Sequence, residues 1–348
     1  MSVPDKKDPI RDLSALPPYL QVFFLSKGAA ISTALSLAAE LGIADLLTEG
    51  PKRSEDLARA TSTHPGALDR ILHLLSSVGV FTEVSPGCFG LTPLGECLRT
   101  GVPGSMRSWV RMTGFKVWYQ VYPEALYSLR TGQPAFKKTV GADFFDYLAA
   151  HPDEDTVFNE AMTNFGQENA PAVIKAYDFS GIHKIVDVGG SHGSLLLVIL
   201  QAHPEMTGIL FDLPHVAESA RKRIAEAGFA QRCEIVKGDF FVSLPAGGDA
   251  YLLRWIIHDW DDERALKILQ NCRSAMNKTA RLLLVEAIIP HEDALHPGKV
   301  IDFDMLVALG GKERTEEEYS ALFDASGFGL NRIIPTASPM CVIEGIPK

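Results

Sequence analysis

The stretch Ile185-Val186-Asp187-Val188-Gly189-Gly190-Ser191-His192-Gly193-Ser194-Leu195-Leu196-Leu197-Val198-Ile199-Leu200 constrains this chain more than any other. A partly β-branched apolar run leads into an acid and a glycine-rich turn, and the turn opens onto an apolar segment long enough for a buried helix. The order is strand, tight loop, helix. Glycines at 189, 190 and 193 let a ligand approach the backbone, and the first turn of the helix presents unpaired N–H groups there. A nucleotide-like ligand suits that geometry; a tight loop without a ligand is the alternative that the turn alone leaves open.

Spacing narrows the choice. The dinucleotide pattern G-x-G-x-x-G needs glycine at 189, 191 and 194, and serine stands at two of those places. An acid two residues before Gly189, followed by Gly189-x-Ser191-x-Gly193, instead resembles the first motif of class I S-adenosylmethionine-dependent methyltransferases. That motif usually reads acid-x-Gly-x-Gly-x-Gly, so Ser191 is a departure from it.

The 348 residues are 46% hydrophobic and 22% charged, enough chain for two cores. A formal charge of −10, with no local basic patch, argues against nucleic acid and anionic membranes as partners. Cys88, Cys97, Cys233, Cys272 and Cys341 are odd in number and lack C-x-x-C spacing, which predicts reduced thiols rather than disulfides or a zinc site. Residues 1–11 lack the order of a signal peptide, and no apolar run reaches the ~18 residues of a membrane span. A cytoplasmic protein is expected.

Residues 1–16 read as a polar arm. From Pro18 the pattern turns helical and almost apolar all round, through Leu20, Phe23, Phe24, Ala30, Ile31, Leu35, Leu37, Ala38 and Leu41. Such a helix needs burial on several sides, which points to a partner subunit. Ser54 is expected to cap a short helix through Leu57 and Ala58, and Pro65 to start a second with Leu68, Ile71, Leu72, Leu74 and Leu75 that ends at Gly79. Val80 to Val84, the turn Ser85-Pro86-Gly87, and Cys88 to Thr92 read as a β-hairpin, which completes a winged helix over residues 17–102. Such modules bind DNA or dimerise. The second helix offers only Arg70 and two histidines as cations, so dimerisation is the better reading.

Residues 103–180 are predicted helical, a connecting region that contributes to a substrate pocket. Aromatic residues cluster there at Trp109, Phe115, Trp118, Tyr119 and Tyr122, then at Phe136, Phe144, Phe145, Tyr147, Phe158 and Phe165; most belong to the core by base rate. Residues 181–348 alternate strand and helix. Strands are expected near 184–188, 207–212, 233–237, 249–254, 281–286, 329–335 and 340–344, the last two as a hairpin. Helices are expected near 193–202, 215–227, 262–276 and 315–326. The fold class is therefore α/β, a Rossmann-like doubly wound sheet preceded by a mostly helical domain, with ligands at the carboxyl ends of its strands.

Candidate ligand groups recur at those ends. Asp212 closes the second strand, where a carboxylate can accept two ribose hydroxyls. Asp239-Phe240 closes the third, where an acid can meet an adenine amino group beside an aromatic ring. Each acid could equally be a turn or capping residue. Past the fourth strand, Tyr251 to Arg254, stands His258, placed to act as a general base near neutral pH. A lone histidine there is more often an ordinary core or surface residue. Thr315-Glu316-Glu317-Glu318 reads as a capping box that makes Glu318 structural and leaves Glu313 on a loop, facing either a cleft or solvent.

Five collinear motifs then resemble one family: Asp187 to Gly193, Phe211-Asp212-Leu213-Pro214, Gly238-Asp239-Phe240, Arg254-Trp255-Ile256-Ile257-His258-Asp259-Trp260 and Gly310-Gly311-Lys312-Glu313-Arg314-Thr315. The chain is similar to small-molecule O-methyltransferases with an N-terminal dimerisation domain, of the caffeate, hydroxyindole and polyketide type. The resemblance implies a homodimer that carries the methyl group of S-adenosylmethionine to a hydroxyl of an aromatic molecule, without a metal. It implies His258 as base with Glu286 and Glu313 as acidic helpers. It assigns the cofactor to Asp187, Gly189, Gly190, Ser191, Gly193, Asp212, Leu213, Asp239, Phe240 and Arg254. Trp255, Asp302 and Met305 fall where such enzymes contact the acceptor, and core packing is the other reading of Met305. Relatives that use the cofactor structurally, as decarboxylases or hydroxylases, and N-methyltransferases share the fold; a winged-helix regulator that binds a small ligand is the non-enzyme alternative.

Overall fold

The computed structural model describes residues 13–348, apart from the side chains of residues 13, 167 and 168. The expected polar arm falls largely outside them; Leu13–Ala15 form a single 3-10 turn. Backbone contacts divide the chain into one unit that runs to Trp118 and includes Pro152–Phe165, and another formed by Tyr119–His151 and Gly166–Lys348.

In the first unit, the single long helix expected after Pro18 is two helices, Pro18–Ser26 and Gly28–Glu40, with a bend of 48° between them. Lys27 leaves helical dihedrals (φ −96°, ψ 7°), and Gly28, a weak helix former, follows it. Neither helix alone is long and apolar enough to cross a membrane, nor is any other single helix among the described residues; these two pass by length and composition only together, across the bend. The first buries none of its residues. The second sets Ala34, Ala38 and Ala39 into a core with Leu57, Leu68, Leu72, Leu75, Phe81 and Phe89.

Helices Ser54–Ala60 and Pro65–Ser77 form the expected pair. Ser54 is not its cap: Arg53 holds the N-cap position, with no side-chain capping bond, and the Ser54 N–H is tied to the Gly87 carbonyl at 2.9 Å. That bond joins the helix to the hairpin turn. Strands β1 (Lys52–Arg53), β2 (Phe81–Ser85) and β3 (Cys88–Leu91) pair in the order β1-β3-β2, a winged helix with a three-stranded wing.

The second unit is built on β4 (Lys184–Val188), β5 (Thr207–Asp212), β6 (Cys233–Lys237), β7 (Ala250–Arg254), β8 (Arg281–Ala287), β9 (Phe328–Pro335) and β10 (Met340–Pro347). Their order is β6-β5-β4-β7-β8-β10-β9. The first five are parallel, and β10 runs antiparallel to both neighbours, as the expected hairpin with β9 requires. Alternation sends Ile185, Leu252, Leu283 and Val285 to one core and Val186, Tyr251, Leu253, Leu282 and Leu284 to the other. Both faces are thus covered, which explains strands that read as continuous apolar runs. The order of strands turns back between β4 and β7, and at such a switch point a crevice opens beyond the carboxyl ends.

Helices Ser194–Ala202, Pro214–Glu226, Asp262–Ala275 and Glu316–Ser326 stand where the sequence predicts them. A further helix, Pro297–Ala308, was not expected. Asp302 and Asp304 interrupt its apolar pattern, so no helical period shows in the sequence; His296, whose ring accepts the Gly298 N–H at 3.2 Å, starts it.

Candidate active site

Leaving β4, the chain takes left-handed dihedrals at Gly189 (φ 67°), Ser191 (φ 51°) and Gly193 (φ 72°). Serine at 191 holds a conformation that glycine adopts more readily. Its N–H donates to one oxygen of Asp212 at 2.8 Å, and the Leu213 N–H donates to the other at 2.7 Å. Asp212 therefore fastens the turn to β5, and each of its oxygens keeps a lone pair for a second donor. Burial raises its pKa, against the pull of those two N–H groups. At Gly190 a Cβ would lie 2.5 Å from the buried Asp187 Oδ2 and clash with it, and at Gly189 one would lie 2.5 Å from Ile256 Cδ1, where the positive φ favours glycine as well. Burial lifts Asp187 to about 7, helped by Asp212 and opposed by Arg254.

Arg254, at the end of β7, donates to Ser194 Oγ at 3.2 Å. It lies against Gly166, where a Cβ would come within 2.0 Å of its guanidinium. Asp239 accepts the Phe241 N–H at 2.8 Å. Phe240 meets Phe241 and Trp260 edge to face, at 4.9 and 6.1 Å, and Asn271 holds the Phe240 carbonyl at 2.8 Å. Asp187, Asp212, the Arg254 guanidinium and the Phe240 ring thus adjoin the glycine turn and the start of its helix, and Asp239 precedes Phe240 in the chain.

His258 lies beyond β7 in a 3-10 turn, Ile257–Asp259, and is 4% exposed. Its Nδ1 stands 2.7 Å from Glu313 Oε1. Glu313 reaches it because the loop passes close by at Gly311, where a Cβ would lie 2.1 Å from the His258 carbonyl oxygen. Glu286, at the end of β8, does not hydrogen-bond the ring. Its Oε1 accepts the N–H groups of Ile256 and Ile257 at 3.0 and 2.9 Å and so holds the turn that carries the histidine. A ring nitrogen of His258 and one carboxylate oxygen each of Glu286 and Glu313 nevertheless lie within 4.8 Å of one another. Burial alone would pull the imidazole down, but Asp259, Glu286 and Glu313 outweigh it and raise His258 to about 10.

Two participants went unnoticed in the sequence. Asp259 Oδ1 lies 3.3 Å from His258 Nε2, and adjacency to the histidine was its only signal. Arg314 is fully buried and braces the same turn, with bonds to the carbonyls of Ile257 at 3.0 Å and Trp260 at 2.9 Å. It sits inside a quoted motif, but its partners are far away in sequence.

The three acceptor candidates fall differently. Asp302 Oδ1 accepts the Glu313 N–H at 2.8 Å, which sets it beside the Glu313–His258 pair. The Trp255 ring lies 5.7 Å from the His258 ring, on a backbone with φ 54°. Met305 is half-buried on the unexpected helix, three residues beyond Asp302. On the same helix Asp304 accepts the Tyr122 hydroxyl at 2.9 Å.

A model of the O-methyltransferase domain matches residues 122–329, and a model of the O-methyltransferase dimerisation domain matches residues 23–101. The chain belongs to the O-methyltransferase family. It is 48% identical over 320 residues to the phenazine O-methyltransferase PhzM of Lysobacter antibioticus, covering 92% of this chain and 94% of that one. The crystal structure of LaPhzM superposes with a TM-score of 0.90 at 46% identity, over 96% of this chain and 100% of that one. The O-methyltransferase NcsB1 from neocarzinostatin biosynthesis, solved with S-adenosylmethionine and 2-hydroxy-5-methyl naphthoic acid, gives 0.79 at 32% identity over 91% and 96%.

This O-methyltransferase uses S-adenosylmethionine as its methyl donor. The site's chemistry suits that molecule: carboxylates for ribose and amino groups, a guanidinium for a carboxylate, and rings for adenine. Its winged-helix module is the family's dimerisation domain.

Proposed function

We propose that the enzyme methylates a hydroxyl of a fused-ring aromatic molecule, with His258 as general base. The observation that carries this reading is the 2.7 Å bond between His258 Nδ1 and Glu313. It fixes the ring at Nδ1, so the nitrogen that takes a proton is Nε2, which has Asp259 Oδ1 3.3 Å away.

S-adenosylmethionine, when bound, supplies an electrophilic methyl carbon on a sulfonium. Asp187, Gly189, Gly190, Ser191, Gly193 and Leu213 form the cradle for it, with Asp212 at the ribose, Asp239 and Phe240 at the adenine and Arg254 at the carboxylate. Trp255, Asp302 and Met305 contact the acceptor. A phenol of pKa ~10 is a weak nucleophile at neutral pH. His258 Nε2 would take the proton of that phenol as its oxygen attacks the methyl carbon the cofactor would supply, the sulfonium sulfur being the leaving group. Glu313 accepts the Nδ1 proton's hydrogen bond and stabilises the imidazolium, the role of an orienting acid in a hydrolase triad. Alignment and exclusion of water supply the rest.

The acceptor class is inferred from relatives named for a phenazine and crystallised with a naphthoic acid. A cytoplasmic location is inferred from five free cysteines. Labelled S-adenosylmethionine with panels of phenols and aryl amines tests the reaction. Methyl ether formation should fall ~10²–10⁴-fold in His258→Ala; unchanged ether formation in that variant, or methylation of amines alone, would overturn the reading.

A further inference from the structure

Three buried oxygens near His258 have no hydrogen-bond partner among the described residues: Glu286 Oε2, Glu313 Oε2 and the Tyr319 hydroxyl. Glu286 and Tyr319 are fully buried and Glu313 nearly so. Each carboxyl group spends its other oxygen on the catalytic turn, Glu313 on the imidazole and Glu286 on two backbone N–H groups. Buried polar atoms are nearly always paired in native proteins, so a group of three unpaired ones marks a place for a hydrogen-bonding guest.

The groups facing the Tyr319 hydroxyl are Glu286 from β8, Glu313 and Arg314 from the loop before its helix, and Cys341 from β10. Those facing His258 are Asp259, Glu286 and Glu313; Arg254 in turn faces Glu286, and Asp302 faces Glu313. Arg314 cannot serve the two carboxylates. Its five N–H groups are spent on Asp262, on the Ile257 and Lys312 carbonyls, and on the Trp260 carbonyl. The strong donor left facing them is Tyr319. Thr315, two residues past Glu313, is the N-cap of its helix, and a complete capping box fixes that start. Phe323 and Leu322 of the same helix sit with it in the core.

We propose that Tyr319 is a positioning residue for the proton-accepting site: through one bound water molecule its hydroxyl donates to the unpaired oxygens of Glu286 and Glu313 and keeps both carboxylates charged behind His258. The inference rests on the reading of His258 as the base. A hydrogen bond to a carboxylate favours its ionised form, and two ionised carboxylates raise the proton affinity of the imidazole beside them. Removing the donor lets Glu286 take up a proton, and His258 becomes a weaker base.

The test is a histidine titration followed by NMR in the full-length protein with S-adenosylmethionine bound, comparing wild type with Tyr319→Phe, which keeps the ring and loses only the hydroxyl. The His258 resonance is assigned by its loss in His258→Ala. In Tyr319→Phe its midpoint should fall by about one pH unit, and the alkaline rise of kcat should move to lower pH by the same amount with KM unchanged. Glu286→Gln should give a similar shift, and the double variant no more than either alone. An unchanged midpoint, or shifts that add, overturns the proposal and leaves Tyr319 a packing residue. The readout does not depend on turnover, so a fully active His258→Ala would sink the general-base reading and leave the titration result standing.

Discussion

At His258, burial and charge pull in opposite directions, and charge wins because three carboxylates converge on one ring. The working form of the base is the neutral imidazole. With a pKa raised well above 6.5, that form gains population as pH rises, so kcat should climb through the alkaline range instead of levelling off near pH 7; a stopped pH series of methyl ether formation checks this. Glu313→Gln keeps the side chain's shape and removes its charge. It should move the rise to lower pH and lower the alkaline plateau of kcat ~10–100-fold, with cofactor affinity by calorimetry unchanged. Glu313 was pointed to in the sequence by the family motif that holds it, since its loop position alone left it facing either a cleft or solvent. The use of Glu286 on the backbone was not, since β8 and the Ile256–Ile257 amides meet only in the folded sheet.

Among elements, the helix Glu316–Ser326 could be read from sequence to its first residue, because a capping box is a local pattern. Thr315 accepts the Glu318 N–H and Glu318 accepts the Thr315 N–H, as expected. Thr315→Ala should destabilise the second unit by ~1 kcal/mol in urea unfolding, and because Glu313 lies just before the cap, kcat should fall in proportion more than Tm suggests. The helix Pro297–Ala308 escaped notice for the opposite reason. Its acids have nonlocal purposes, Asp302 on Glu313 and Asp304 on Tyr122, so they break the apolar period that would have announced it. The bend at Lys27 was likewise hidden by an apolar run on both sides.

On the scale of the whole molecule, two consequences follow from where charge and apolar surface lie. Asp187 and Glu286 are buried acids raised to about 7, and ionising them on the way to high pH costs folding stability. His258, raised to about 10, stabilises most fully below pH 6.5, and this contribution is lost as pH rises toward 10. Between pH 6 and 9 the folded chain therefore binds more protons than the unfolded one, and stability must fall. Calorimetry without cofactor should give a lower Tm at pH 9 than at pH 6; Glu344, whose pKa is lowered, acts below that window. In the first unit, Tyr19, Val22, Phe23 and Leu25 of the helix Pro18–Ser26 remain exposed, and Phe23, Phe24, Ile31, Leu74 and Val78 line an apolar groove. Phe23→Asp should convert a dimer to a monomer by light scattering; a variant that stays dimeric would move the interface elsewhere. The sequence by itself determined the alternation of strand and helix, the winged helix and the glycine turn, because each depends on periodicity, turn chemistry or spacing within a few tens of residues. Only the tertiary structure decided that Glu313 holds the imidazole, that Glu286 and Arg314 hold its backbone, and that Asp259 stands at its other nitrogen. All but the last join residues whose separation in sequence carries no pattern, and they exist because the folded sheet and the loop before the helix Glu316–Ser326 bring them within hydrogen-bond reach.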